Sequence, residues 1–219
     1  MVLPAALLEA CGSTATPQQV QSLLGLPVKP VSLDARQARA VRAVVGRLIP
    51  SDATGPGAEE AMVWRYIDLA LSRDLKQLKP LYTANLAALD ALAVKRHGRA
   101  FAALAAGRQD AILRDLEAGR ADGFTPDAAT FFATVLEHTR EGMFGDPYWG
   151  GNAGFAGWDL IGFPGLNMVT PQAYTELGAR PPLPHRSVTQ FNGMFMVTLP
   201  TGRHLGPSAA MAAKDMGGM

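Results

Sequence analysis

The chain has a single cysteine, Cys11, among 219 residues. That count excludes an internal disulfide, a CxxCH haem attachment, a cysteine-ligated zinc site and a thiolate-held iron–sulfur cluster, all of which need more thiolates. Charge of one sign is also missing in bulk: 20 Lys and Arg stand against 19 Asp and Glu, scattered without a basic run. A nucleic-acid footprint needs such a run or stripe, so nucleic acid is not an expected partner. No apolar stretch approaches the roughly 20 residues that cross a bilayer as a helix. Aromatics make up only 7% of the chain, which gives weight to any place where they gather.

The usual catalytic signatures are absent as well. Neither GxGxxG nor GxxxxGK[ST] occurs, and the spaced glycines Gly151, Gly154 and Gly157 follow no strand and sit in no βαβ unit. His97, His138, His185 and His204 form no HxxxH or HExxH pair. Glu137 and Glu141 share a helix face beside His138, but a di-iron bundle site needs a Glu-x-x-His on each of two helices, so a solvated or salt-bridged face is expected. No G-x-S-x-G nucleophile elbow is present.

What the chain has is helical periodicity. A composition 48% hydrophobic and 18% charged is that of a folded domain able to bury one core. Ser32 is the expected N-cap of a first helix with Leu33, Val41, Val44, Val45, Leu48 and Ile49 on one face, stopped at Pro50. A second helix is expected over 58–72, carrying Met62, Tyr66, Ile67, Ala70 and Leu71. A third starts with Pro80 at its first position and runs through Leu86, Leu89 and Leu92 to Gly98. Ile112, Leu113 and Leu116 mark a fourth, closed by Gly119. The fifth has Thr125 as N-cap, Pro126 and Asp127 in its first turn, Phe131, Phe132, Val135 and Leu136 as its apolar face, and Gly142 as its stop. The expected fold is therefore all-α, an irregular bundle of about five helices.

Three regions follow. Residues 1–31 read as an extended arm, residues 32–165 as the helical domain, and residues 166–219 as an extended tail in which Asn192-Gly193 signals one short hairpin. Leu8-Glu9-Ala10-Cys11, after an apolar start without Lys or Arg, has the form of a lipoprotein cleavage box, making Cys11 a candidate for lipidation and the arm an export-signal remnant.

The aromatics gather in EGMFGDPYWGGNAGFAGWDLIGFPG, residues 141–165, which packs eight glycines and six aromatic rings into 25 residues. It is too glycine-rich for a helix and too irregular for a strand. Phe144, Tyr148, Trp149, Phe155, Trp158 and Phe163 have the chemistry of an interface core, where large rings bury area at low entropy cost. The same rings could fold back onto the helices as a compact loop does, and the residues leave both readings open. Asp146, Asn152 and Asp159 are expected to fix its turns through side-chain to backbone hydrogen bonds.

This stretch, together with GRLIPSDATGPGAEEAMVWRYID, resembles the gluconate 2-dehydrogenase subunit 3 family over roughly residues 33–165. The resemblance implies a small subunit with no catalytic residue, metal or cofactor of its own. It implies pairing with a glucose–methanol–choline-type catalytic subunit that binds FAD and oxidises a sugar or glycoside, and a cytochrome c subunit that carries electrons onward. It also implies a chaperone-like role in flavin loading and twin-arginine (Tat) export to the periplasm, with peripheral or lipid-anchored membrane association. The chain departs from that pattern in having no twin arginine. Phe144, Tyr148, Trp149, Asn152, Phe155, Trp158 and Phe163 are the expected partner interface. The competing expectation is a free-standing exported binding module or lipoprotein without a redox partner.

Overall fold

The computed structural model describes residues 29–166 and 185–188, with the backbone of 197–198 and 204–205. Six α-helices occur among these residues: α1 Ala35–Leu48, α2 Val63–Ala70, α3 Lys79–His97, α4 Ala106–Glu117, α5 Ala128–Phe144 and α6 Ala156–Ile161. The all-α expectation holds. The sixth helix lies inside the glycine–aromatic stretch, where none was expected. The last two described segments pair antiparallel, Val197 with Leu205 and Thr198 with His204. Asn192-Gly193 lies outside the described residues, as do Cys11 and most of the arm.

Local chemistry explains where the helices begin. α1 is capped by Asp34, not Ser32: the Asp34 carboxylate accepts from Arg36 N and Gln37 N, while Gln37 Oε1 accepts from Asp34 N, a closed capping box. Ser32 is unavailable because its backbone N–H donates to Asp68 and its hydroxyl to the Leu71 carbonyl. α5 likewise starts two residues late. Asp127 accepts from Thr130 N at 2.8 Å, whereas Thr125 is held outside the helix by Asn85, whose amide meets both its carbonyl and its N–H. Residues 58–62 form turns, and α2 begins only after Met62, which adopts the left-handed conformation at φ 55°. α3 ends as its sequence requires, with Gly98 at φ 71° beyond a basic last turn.

One core lies where α5 crosses α2, α4 and α1. Val41, Val45, Ile67, Leu89, Phe101, Ile112, Leu116 and Phe131 are fully buried there. Each such side chain is worth about 1.5–3 kcal/mol of transfer free energy. Tyr82 meets Phe131 edge-on at 5.9 Å, and Phe124 stacks on Phe131 at 6.0 Å. Phe132 and Leu136, expected on the same face, are only half-buried. Gly142 does not stop α5. It lies within the helix where a Cβ would come within 2.9 Å of Val63 Cγ1 and 3.0 Å of Tyr66 Cβ, so its hydrogen is what lets α5 lie against α2.

Candidate functional site

The glycine–aromatic stretch starts at the last turn of α5 and crosses back over it. Two short 3-10 turns, Pro147–Trp149 and Ala153–Phe155, lead into α6. The crossing occurs at backbone distance: a Cβ on Gly151 would sit 2.1 Å from the Gly142 carbonyl oxygen, and one on Gly157 would sit 1.8 Å from that of Met143. The clustered glycines therefore serve close chain–chain approach.

Asn152 ties the crossing together. It is fully buried at φ 45°, its amide donates to the Gly145 carbonyl at 2.8 Å, and its side-chain oxygen accepts from Gly157 N at 2.8 Å. Ala153 N donates to the Ala61 carbonyl at 3.0 Å, stitching the loop to the turn before α2. Phe155 is left-handed at φ 62°, a conformation that costs a bulky residue on the order of 1–2 kcal/mol. Its ring stacks 5.3 Å from Trp158, which offsets part of that.

Asp146 fixes its turn as expected, accepting from Tyr148 N at 2.9 Å, and it also accepts from Ser187 Oγ at 2.6 Å and Val188 N at 2.9 Å. Asp159 does something else. It pairs with His185 Nε2 at 2.6 Å, and the His185 ring lies against Phe155 at 5.2 Å. Leu166 N donates to the Arg186 carbonyl and Arg186 N to that of Pro164, so residues 185–188 are fastened to the loop at three places.

The seven residues expected at an interface divide by accessibility. Trp158 is 2% exposed and Asn152 is fully buried, both bonded within the chain. Phe144, Tyr148 and Phe155 are half-buried. Trp149 and Phe163 are each 44% exposed. Sequence reasoning missed the residues that accompany them. Leu160, Ile161 and Leu166 are exposed too, Ile161 to 58%, so an apolar face rims the end of α6. No sequence signal separated them, because adjacent apolar pairs such as Ile112 and Leu113 are both buried elsewhere in this chain. Leu160 also packs near the Asp52–Gly55 turn, where a Cβ on Gly55 would lie 2.9 Å from its Cδ2.

Elsewhere the ionisable groups are engaged structurally. His138 faces the core, with Nδ1 2.8 Å from the Tyr82 hydroxyl, and burial pulls its pKa below the ordinary histidine value. The Tyr66 hydroxyl donates to Glu141 at 2.7 Å, and burial together with that carboxylate pushes the phenol pKa up. A shallow cleft of about 390 Å³ is lined by Arg39, Arg42, Arg47 and Glu59, among others. Arg42 pairs with Glu59 and Arg47 makes a two-pronged contact with Asp110. Among the described residues no three His, Cys, Asp or Glu gather as metal ligands, and no helix is long and apolar enough to cross a membrane.

A model of the family described as gluconate 2-dehydrogenase subunit 3 matches residues 35–165, which run from the first residue of α1 to the end of the glycine–aromatic stretch. No curated protein and no solved structure gives a significant match.

Proposed function

The chain belongs to the gluconate 2-dehydrogenase subunit 3 family, and from that premise we propose that it is the non-catalytic small subunit of a heteromeric FAD-dependent sugar or glycoside dehydrogenase. Family membership makes it a subunit of a dehydrogenase complex. In this proposal its partner is a glucose–methanol–choline-type catalytic subunit that holds the FAD, with a cytochrome c subunit accepting electrons. Its work is to stabilise that partner and assist its maturation and export to the periplasm.

The observation that carries the reading is the distribution of exposed apolar side chains. Seven large hydrophobics are exposed among the described residues, and Trp149, Leu160, Ile161, Phe163 and Leu166 account for five of them. Large apolar side chains exposed in this number on a loop that is itself rigidly built mark a protein–protein contact better than an active site. The histidine that lies against the loop supports the same reading, because His185 is committed to Asp159.

Co-expression of the tagged chain with its genomic neighbours tests the proposal. A flavoprotein should co-purify, and replacing Trp149 and Phe163 together with Ala should weaken that association by about 2 kcal/mol or more. A chain that purifies as a stable monomer and never retains a flavoprotein would instead be the free-standing exported module.

A further inference from the structure

α1 carries four arginines and no Asp or Glu. Two of them, Arg39 and Arg42, share one helix face with Ala43 and Gly46, and this face lines the shallow cleft. The cleft is lined from the other side by Ala102, in the 3-10 turn Phe101–Ala103, and by the first turn of α4. Ala43, Gly46, Ala102 and Ala106 carry nothing larger than a methyl group, which leaves about 390 Å³ of space between the elements.

The three guanidiniums of the cleft are committed to different degrees. Arg47 gives Nε and Nη2 to Asp110. Arg42 gives Nη2 to Glu59 at 3.0 Å and lies over the Trp64 ring, its guanidinium carbon 5.6 Å from the ring centre, with its side chain still 43% exposed. Arg39 is exposed and has no hydrogen bond or ion pair among the described residues. With Glu59 set against Arg42 and Asp110 against Arg47, one positive charge is left over. The start of α4 adds to the same sign, because Ala105 at its N-cap has no side chain to take the free amides.

Shape and charge narrow the anion that fits. A shallow cleft does not enclose most of a small molecule, as a ligand pocket does, but it admits a side chain projecting from another protein. Glu59 in the wall opposes a doubly charged phosphate more than a single carboxylate. A guanidinium meets a carboxylate with two parallel N–H donors.

The cleft also lies near the α6 rim. Leu160 packs at Gly55, and Glu59, four residues further on, stands in the cleft wall. Four residues span at most about 14 Å. A standard interface covers about 800 Å² on each partner, a patch roughly 30 Å across, so one protein can reach both.

The geometry points to this cleft as the docking point for an Asp or Glu side chain of the catalytic subunit, with Arg39 as its main partner and Arg42 as its second. This rests on the small-subunit reading above and adds to the apolar rim a separate, charge-based contact.

The dissociation constant of the complex with the flavin-bearing subunit, measured at about 50 and about 500 mM NaCl, tests this. Arg39→Glu should weaken binding about tenfold at the lower salt and by no more than about twofold at the higher. Because Arg39 is exposed and unbonded among the described residues, this variant should keep its circular dichroism. Glu59→Gln removes the competing carboxylate and should tighten binding about twofold to threefold at the lower salt. Lys95→Glu makes the same change in net charge in the last turn of α3, outside the cleft, and should stay within about twofold of the unaltered chain.

An Arg39→Glu chain that binds as the unaltered one does, loses no more than Lys95→Glu, or loses equally at both salts would overturn the proposal. So would weaker binding by Glu59→Gln. In those cases the small-subunit reading still stands if replacing Trp149 and Phe163 loosens the complex, whereas a chain that never retains a flavoprotein overturns both. Saturable binding of citrate to the isolated chain, abolished by Arg39→Glu while the complex is unaffected, would give the cleft to a free anion and overturn the proposal as well.

Discussion

The indole Nε1 of Trp158 donates to the carbonyl of Phe144 at 2.8 Å. Phe144 is the last residue of α5, and the final carbonyls of a helix have no partner within it. A ring from a later turn therefore closes the end of the helix that the loop crosses. This separates two tryptophans that look equivalent in sequence. Trp158→Phe keeps an aromatic ring but removes the donor and part of the buried indole, and should lower unfolding free energy by about 1–3 kcal/mol in urea titration. Trp149→Ala should stay within about 0.5 kcal/mol by the same measurement and show its effect only on retention of the catalytic partner.

Two glycines of the loop should respond very differently to alanine. At Gly157 the added carbon would sit 1.8 Å from a backbone oxygen, so the loop must move off α5, at a cost of roughly 3 kcal/mol or more. At Gly154 nothing lies within 4 Å, but φ is +66°, so the cost is only the left-handed conformation, about 1–2 kcal/mol. Thermal melts of the two variants should rank accordingly. Equal losses would show that the loop does not rest on α5 in solution.

His138 sets one limit of pH stability. Burial lowers its folded pKa, so below the ordinary value near 6.5 the unfolded chain binds a proton that the folded chain resists. Stability is then fully present above that pH and falls as pH drops below it. Urea midpoints measured from pH 7.5 to 5 should decline in the unaltered chain and flatten in His138→Gln. An equal slope in both would move the titration to another group.

Arg47 and Asp110 act in a lower window. Nε and Nη2 of Arg47 meet the two carboxylate oxygens at 2.6 and 2.9 Å, joining α1 to α4. Hydrogen bonding from Arg47, ahead of its charge, holds the Asp110 carboxyl below the usual carboxylate range. A depressed acid stabilises the fold above its unfolded pKa of about 3.9 and loses that contribution as pH falls through the folded value. With both side chains about a quarter exposed, Arg47→Lys should cost only about 0.5–1 kcal/mol at pH 7. The difference from the unaltered chain should vanish near pH 2.

Five of the six described helices, and the inward faces of α1, α3, α4 and α5, could be read from apolar spacing because burial imposes the 3.6-residue period directly. Starts were harder, since several residues can cap and tertiary partners choose among them. Asp68, 36 residues away, claims Ser32, and Asn85 claims Thr125. Gly142 has the sequence signature of a helix stop, yet it is a contact point that only the crossing of α5 over α2 explains. In the loop, composition told that rings and glycines belong together. It could not say which ring turns inward, because Trp158 and Trp149 differ only in what the backbone crossing places above them.

Residues 185–188 have a consequence for everything that follows them. Because Asp146, Asp159 and Leu166 hold this tetrapeptide, the chain beyond Val188 sets out from a fixed point on the loop that carries the α6 rim. A partner seated on that rim would therefore meet Val188 at a defined place beside it, with no search by diffusion for that point of the chain.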